Sequence, residues 1–212
     1  MKLMIEAVDY KSLEFINEAA DADGKKNWKI KGPFLQAETK NRNGRIYSSD
    51  LIKREVNKYM KERVETSRAM GELDHPPTPQ INLDRVSHLV ENLSFEDNSA
   101  IGVAKLLNTP TGRTAQALLE GGVKLGVSSR GVGTLTKDRV NEDYGLICID
   151  IVGDPSALNA YVDGIYENVD YIIDNDQIVE QAVQNLKKEL SVSGTKKLRS
   201  NLTRFLDEIT RL

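Results

Sequence analysis

The chain has 212 residues, of which 39% are hydrophobic and 29% are charged, a balance typical of a soluble globular protein. Its 29 basic and 32 acidic residues give a net charge of -3, so we expect no surface for nucleic acid or for an anionic membrane. One cysteine excludes an internal disulfide framework, two histidines are too few for zinc chemistry, and no apolar stretch is long enough to span a bilayer.

The first part of the chain is predicted to contain a peripheral segment, a strand and a helix. Residues 1–26 are expected at the periphery, because a short amphipathic stretch runs into a polar, turn-prone segment. A strand is predicted at 28–38, and the Asn-Gly pair at 43–44 predicts a tight turn because it adopts positive φ at little cost. Ser48 or Ser49 can cap the helix that follows, whose apolar residues share one face.

The middle of the chain is rich in predicted strands. Two stretches of alternating polarity, 85–95 and 100–107, predict a β-hairpin. A short helix at 111–119 and strands at 123–129 and 145–152 follow. Because strands dominate and no βαβ rhythm is present, the predicted fold class is α+β, built on a closed or partly closed barrel of mostly antiparallel strands.

From residue 166 onward the apolar residues recur at helical spacing, which predicts a C-terminal helical tail. The sequence therefore predicts three parts. They are an N-terminal appendage at 1–26, a domain that carries the chemistry at 27–165, and the helical tail at 166–212.

The first residue suited to catalysis is His75, in the segment Gly-Glu-Leu-Asp-His-Pro-Pro. The two prolines exclude a helix, so the imidazole is expected at a rigid strand end or turn. Histidine is the usual general base because its pKa lies near neutrality, and the simpler interpretation is a hydrogen-bonded or surface residue. His88, inside an alternating strand, fits that simpler interpretation better.

The segment Gly-Val-Ser-Ser-Arg-Gly contains the candidate nucleophile. Alternation along a strand places Val127 and Ser129 on one face and Ser128 on the other. If the valine faces inward, Ser128 points outward toward a substrate, so Ser128 is favoured and Ser129 is the alternative nucleophile. Arg130 and Gly131 are candidate oxyanion donors, and a serine- and glycine-rich strand end without a function is the simpler interpretation.

Asp150 lies in an otherwise apolar strand, where an unpaired carboxylate would cost several kcal/mol to bury. Its expected partner is either a histidine Nδ1–H, which would make it the third member of a catalytic triad, or a nearby arginine or lysine. The neighbouring Cys148 is interpreted as inert packing, and Asp154, before a proline, as a turn residue.

Four segments, taken in order, resemble the signature blocks of the prohead core proteases of T-even-type bacteriophages. They are Gln-Ala-Glu-Thr-Lys-Asn-Arg-Asn-Gly-Arg-Ile-Tyr at 36–47, Gly-Glu-Leu-Asp-His-Pro-Pro at 71–77, Gly-Val-Ser-Ser-Arg-Gly at 126–131 and Ile-Asp-Ile-Val-Gly-Asp-Pro-Ser-Ala at 149–157. The resemblance implies a fold related to the herpesvirus assemblins, an antiparallel barrel surrounded by helices. It also implies a serine endopeptidase that uses no cofactor.

On this resemblance, Ser128 is the nucleophile, His75 the base, and Arg130 with Gly131 belongs to the oxyanion site. Assemblins use a second histidine after the serine, and since this sequence has none there, Asp150 is the candidate third member. The family implies an enzyme inside the assembling prohead, in the host cytoplasm, that digests scaffold and trims capsid proteins. Neither nucleic acid nor a membrane is an expected partner, and the pairing of assemblins leaves a homodimer open.

Family enzymes of this type cleave after Glu when Leu or Ile stands two positions earlier. Such triplets end at Glu18, Glu180 and Glu208, all in the predicted appendages, which suggests a zymogen that trims its own ends. The alternative from another functional class is a non-enzymatic core or scaffold component of the prohead, whose helical tail mediates assembly. The sequence contains no cluster of metal-ligating residues, so a metal-dependent hydrolase is not expected.

Overall fold

The computed structural model describes residues 1–8, 13–18, 27–41, 43–76, 78–153, 171–174 and 177–180. They belong to two compact units, 1–168 and 169–212. In chain order the first unit contains β1 (Lys2–Val8), β2 (Glu14–Glu18), β3 (Asn27–Gln36), α1 (Ser49–Tyr59), β4 (Met70–Glu72), β5 (Val86–Glu96), β6 (Ser99–Leu106), α2 (Pro110–Glu120), β7 (Gly126–Gly133), β8 (Leu135–Thr136), β9 (Arg139–Val140) and β10 (Gly145–Val152).

Two antiparallel sheets form most of the first unit. The larger has the strand order β2-β3-β6-β5-β4, and the smaller has the order β1-β7-β10 with β7 at its centre. The predicted hairpin is confirmed as β5 and β6, which are joined by a turn with positive φ at Asp97 and Asn98. The strands predicted at 28–38, 123–129 and 145–152 correspond to β3, β7 and β10.

The two sheets meet where β4 runs beside the edge of β10. Leu73 and Ile151 form a single parallel bridge there, and the Asp74 amide donates to the Ile151 carbonyl at 2.7 Å. Asp74 has a φ of 59°, which turns the chain away from β10 after this one bridge. The mostly antiparallel α+β fold is therefore confirmed, whereas the described strands do not close into a hydrogen-bonded barrel.

Helix α1 begins as the sequence predicts. The Ser48 side chain accepts a hydrogen bond from the Leu51 amide at 3.2 Å and so satisfies one of the free donors at the helix N-terminus. The apolar face of α1, formed by Leu51, Ile52 and Val56, packs in one core with side chains from both sheets. These are Val90 and Leu93 of the larger sheet and Val127, Ile149 and Ile151 of the smaller one. Among the residues described, no helix has the length and apolar character needed to cross a membrane.

The N-terminal residues contribute to both sheets, unlike the peripheral segment that the sequence predicts. Strand β1 pairs with β7 along its whole length, from Lys2 opposite Gly133 to Val8 opposite Val127. Strand β2 pairs with β3 in the same antiparallel manner. The partner of β1 lies more than a hundred residues away in the chain, so no local pattern reveals this pairing. The polar turn-prone segment at 21–26 lies outside the described residues.

In the second unit the structure describes a β-hairpin made of β11 (Tyr171–Asp174) and β12 (Gln177–Glu180). The helix predicted from residue 166 is wrong at these positions. The two strands contain Ile172, Ile173, Ile178 and Val179, and β-branched residues favour strands. The rest of the predicted helical tail lies outside the described residues.

Candidate active site

Strand β7, which carries both serines, is buried on both faces. All eight of its residues are buried, and Ser128 is 0% exposed. The prediction that Ser128 points outward to where a substrate could reach it is therefore wrong in this structure. Ser129 faces the other way and lines a small cavity with Glu6, Phe34 and Tyr47.

Asp150 pairs with Arg130. Its Oδ2 accepts a hydrogen bond from Arg130 Nε at 2.7 Å, and its Oδ1 accepts from Arg130 Nη2 at 3.1 Å. The Glu72 amide donates to the same Oδ1 at 3.0 Å. Burial raises the pKa of Asp150 to about 6, although Arg130 acts to lower it. Of the two partners that the sequence left open, the structure shows the arginine, and His75 is not among the partners of this carboxylate.

Arg130 and Gly131 lie in the middle of β7 rather than in a glycine-rich turn. They stand opposite Ile5 and Met4 of β1 on one side, and β10 flanks them on the other. Their backbone N–H groups therefore face neighbouring strands, where ladder hydrogen bonds form. The guanidinium is also engaged, because Nη1 donates to the Thr78 carbonyl at 2.7 Å while Nε and Nη2 bind Asp150.

His75 follows the turn at Asp74, whose carboxylate accepts a hydrogen bond from the His75 amide at 3.0 Å. Both ring nitrogens are buried and have no hydrogen-bond partner in the described part of the chain. Burial lowers the pKa of His75 to about 4, and Arg130 and Arg85 lower it further while Asp74 opposes them. The ring is therefore neutral at pH 7 and able to accept a proton.

The Ser128 hydroxyl is likewise buried without a hydrogen-bond partner among the described residues, so it is not bonded to His75. The two residues nevertheless belong to adjacent parts of the fold. Leu73 bridges to Ile151 in β10, and β10 is the neighbour of β7, so the backbone at Leu73 lies two strand spacings, roughly 10 Å, from β7.

His88 confirms the simpler interpretation. It is fully buried, its Nε2 lies 2.9 Å from the Ile149 carbonyl oxygen and its Nδ1 lies 2.9 Å from Ser87 Oγ. A carbonyl only accepts, so Nε2 carries the proton and Nδ1 accepts from the serine hydroxyl. Cys148 is also fully buried, burial raises the pKa of its thiol, and its Sγ lies 3.5 Å from Asp150 Oδ1. Asp154 lies outside the described residues.

Three buried glutamates, Glu6, Glu55 and Glu72, were not predicted from the sequence. Glu72 is 0% exposed, and its Oε2 lies 3.4 Å from Arg130 Nη2, an ion-pair contact without directed hydrogen-bond geometry. Glu6 of β1 binds side chains of the 36–47 segment, with Arg45 Nη1 at 2.9 Å, Tyr47 Oη at 3.0 Å and Asn43 Nδ2 at 2.8 Å. The signal for Glu6 was present in the sequence, since it is an acidic residue in an apolar strand, as Asp150 is.

Comparison with known proteins identifies the family of this chain. A family model described as "Prohead core protein serine protease" matches residues 5–170, well over half of the chain. The chain belongs to this family. The match begins at Ile5, within β1, so it includes the second half of the first strand.

The chain is also similar to a protein of Enterobacteria phage T4 and to a solved structure of a bacteriophage T4 protein. The chain is 35% identical over 142 residues to the prohead core protein protease of that phage, a match that covers 63% of this chain and 66% of the relative. The match therefore spans just under two thirds of the relative's own length. The solved structure of the bacteriophage T4 capsid assembly protease matches with a TM-score of 0.65 and 32% identity, covering 71% of this chain and 97% of that one.

Proposed function

We propose that this protein is a serine endopeptidase of capsid maturation in which Ser128 is the nucleophile and His75 the general base. The observation that carries the proposal is a pair of unsatisfied groups, the Ser128 hydroxyl and the His75 ring nitrogens, which are buried without partners in the described part of the chain. A buried polar group left unpaired costs about 1–3 kcal/mol, so its retention needs an explanation such as catalysis. Membership of the prohead protease family supports the same conclusion.

The chemistry follows from the protonation state of the ring. Neutral His75 takes the proton of Ser128 Oγ as the oxygen attacks the carbonyl carbon of the peptide bond. The resulting imidazolium then protonates the leaving amine, and the acyl group remains on the serine as an ester. A water molecule, deprotonated by the same imidazole, hydrolyses the ester and restores the serine.

The arrangement described here fits a latent form of such an enzyme. The hydroxyl and the ring are not hydrogen-bonded, and Ser128 is closed to substrate. We propose that activation brings His75 to Ser128 and uncovers the face of β7 that bears the serine. Ser129 is the weaker candidate, because it lines a cavity on the core-facing side of the strand. Two further predicted roles require contacts that differ from those in this structure. They are the direct pairing of Asp150 with His75, and the use of Arg130 with Gly131 as oxyanion donors.

The relatives suggest the substrates. One is named as a prohead core protein protease and the other as a capsid assembly protease. We propose that this protein acts inside the prohead in the host cytoplasm, cleaves scaffold and capsid proteins after Glu in Leu/Ile-x-Glu sites, and works with no nucleic acid, membrane or cofactor. We further propose that the active form is a homodimer, as it is in the assemblins.

Trimming of its own ends is part of this proposal. The triplet that ends at Glu18 lies at the end of β2, an edge strand, and the one that ends at Glu180 lies at the end of β12. The triplet that ends at Glu91 lies within β5, which is paired with a strand on each side, and the one that ends at Glu120 lies within the helix α2. Both are therefore harder for a protease to bind as an extended substrate. Cleavage after Glu18 would leave β1 and β2 as a separate fragment bound to the sheets.

A peptide that contains Ile-x-Glu tests the activity. Wild type should cleave it, Ser128→Ala and His75→Gln should lose activity by at least about a thousandfold, and Ser129→Ala should retain it. Circular dichroism of each variant confirms the fold. Retained cleavage in both Ser128→Ala and His75→Gln would overturn the roles proposed for these two residues. No cleavage by any of the proteins, wild type included, would leave the non-enzymatic core component as the function, an alternative that the buried serine favours.

Mass spectrometry of the purified protein incubated alone tests the trimming. Wild type should lose its ends after Glu18 or Glu180, whereas Ser128→Ala should remain whole. The same fragments from both proteins would show that another protease makes the cuts.

A further inference from the structure

One guanidinium contacts the chain on both sides of His75. Arg130 Nη2 lies 3.4 Å from Oε2 of Glu72, three residues before the histidine. Arg130 Nη1 donates to the carbonyl of Thr78 at 2.7 Å, three residues after it, and lies 3.4 Å from the carbonyl of Gln80. The segment that carries the candidate base is thus held at its two ends by one side chain.

That side chain comes from the strand that bears the candidate nucleophile. Arg130 stands two residues after Ser128 in β7, so both side chains leave the same face of the strand. Asp150, directly opposite Ser128 in β10, fixes the guanidinium with two hydrogen bonds. Asp150 also accepts from the Glu72 amide, which ties the start of the histidine segment to β10.

The contacts that hold this segment are mainly polar. Besides Arg130, they include hydrogen bonds from the Asp74 amide to the Ile151 carbonyl at 2.7 Å, between Leu73 and Arg85 at 3.0 Å, and from the Asn82 amide to Glu72 Oε1. Arg130 and Glu72 are both fully buried, so loss of the guanidinium would leave the carboxylates of Glu72 and Asp150 without their buried cation. The start of the segment is also held by backbone hydrogen bonds, whereas the part beyond His75 is bound to β7 through Arg130, which contacts the Thr78 and Gln80 carbonyls.

We propose that Arg130 is a positioning residue, which holds the segment 73–82 against the sheet so that His75 stays at the Ser128 end of β7. On this proposal Asp150 acts on His75 through Arg130 and not by direct contact. The proposal rests on the proposed roles of Ser128 and His75. It assigns to Arg130 a function that differs from that of an oxyanion donor, which would need a free guanidinium or backbone N–H.

The environment of His75 provides a readout that does not require activity. The charged groups that act on the ring are Asp74, Arg85 and Arg130, and burial is the largest influence on its pKa. If Arg130 no longer holds the segment, the ring becomes hydrated and loses a neighbouring positive charge. Both changes raise the pKa of His75 from about 4 toward its ordinary value.

The test compares Arg130→Lys with the parent in a Ser128→Ala background, which prevents self-cleavage. The protein has only two histidines, so NMR titration of the ring protons resolves His75 and, as an internal control, His88. We expect the pKa of His75 to rise by at least one unit, that of His88 to stay unchanged, and amide exchange at Gln80 and Asn82 to accelerate. Arg113→Lys, at an exposed arginine of α2, is the matched control and should change none of these.

An unchanged His75 pKa together with unchanged exchange at Gln80 and Asn82 would overturn the proposal. If Arg130→Lys does not fold by circular dichroism, Asp150→Asn serves instead, because it keeps the side-chain shape and removes the charge that fixes the guanidinium. Asp150→Asn should also accelerate exchange at Gln80 and Asn82. Unchanged exchange there would mean that Asp150 does not act through the arginine, and would overturn that part of the proposal.

Peptide cleavage then separates positioning from oxyanion binding. Loss of an oxyanion donor lowers kcat by about 10²–10³ without moving the pH profile. Loss of positioning should lower kcat and also shift the acidic limb of the kcat/KM profile upward, in step with the pKa of His75. A fall in kcat with an unshifted limb would contradict the proposal. If wild type cleaves no peptide, the proposed function fails, whereas the NMR result still decides whether Arg130 positions the segment.

Discussion

Ser128 and Asp150 stand directly opposite each other in the antiparallel pair of β7 and β10, so their side chains leave the same face of the sheet. The Asp150 carboxylate nevertheless accepts two hydrogen bonds from Arg130, which lies two residues beyond the serine on the same face. The serine hydroxyl is left buried without a hydrogen-bond partner in the part of the chain that the structure describes. Because an unpaired buried hydroxyl destabilises the folded protein, replacing this serine should not lower the free energy of unfolding.

Ser128→Ala should leave the free energy of unfolding unchanged or raise it by up to about 1 kcal/mol, because the substitution removes a buried donor that has no partner. Ser87→Ala is the matched control. Ser87 is equally buried, but its hydroxyl bonds His88 Nδ1 at 2.9 Å, so its loss should cost about 1–3 kcal/mol. Urea unfolding at pH 7 measures both. A larger cost for Ser128→Ala than for Ser87→Ala would mean that the Ser128 hydroxyl has a partner in solution.

Gly71→Ala should destabilise the fold by about 3 kcal/mol or more, because overpacking at a rigid junction cannot relax. A Cβ at this position would overlap the Ile149 carbonyl oxygen and the His88 ring, where the two sheets meet. Gly145→Ala in β10 is the control, since its Cβ would meet nothing within 4 Å, and its effect should stay within about 1 kcal/mol. Thermal unfolding compares the two, and equal effects would show that the junction is looser than described.

Acid should remove the stabilising contribution of His88. Burial lowers its pKa from 6.5 to about 4 in the folded protein, so between these values the unfolded chain binds more protons than the folded one. The contribution is fully present above pH 6.5 and is lost as the pH falls toward 4. It amounts to roughly 3 kcal/mol over this interval.

The difference between wild type and His88→Gln isolates this contribution from other titrating groups. His75 titrates in the same direction, whereas Asp150, with a pKa raised from 3.8 to about 6, contributes stability below 3.8 that is lost as the pH rises through 6. Urea unfolding at several values between pH 4 and 7 should show the wild-type advantage over His88→Gln shrinking as the pH falls. A constant difference would refute the assignment of a neutral, buried His88.

Glu6→Ala should cost about 2–4 kcal/mol, because it leaves the largely buried Arg45 without its carboxylate and also removes an acceptor for Tyr47 and Asn43. Glu14→Ala, at an exposed acidic residue of β2, should change stability by less than about 0.5 kcal/mol. Chemical denaturation of both variants makes the comparison. Similar small effects would show that β1 does not depend on its contact with the 36–47 segment.

The sequence predicted the elements whose causes are local. The β5–β6 hairpin follows from alternating polarity around a turn, and α1 begins at Ser48 because a serine side chain can satisfy a free amide there. The order of the four segments that resemble the prohead proteases predicted the family, and the family match confirms it. The strand that carries Ser128 was predicted from its own pattern, and the catalytic roles of Ser128 and His75 stay predictions. The simpler interpretation of His88 was also correct.

Pairing between distant parts of the chain was beyond the reach of these patterns. Whether β1 lies at the periphery or beside β7 depends on a partner that begins at Gly126. Apolar residues from 166 onward recur at helical spacing, yet the stretch that contains β11 and β12 is rich in β-branched residues and forms a hairpin. The same holds for the partner of Asp150, since an apolar strand requires some counter-ion for its carboxylate without specifying which one. In the tertiary structure the partner is Arg130, because the register of β7 and β10 brings that guanidinium to the carboxylate. The segment that carries His75 packs against this pair, with the Thr78 carbonyl bound to the same guanidinium.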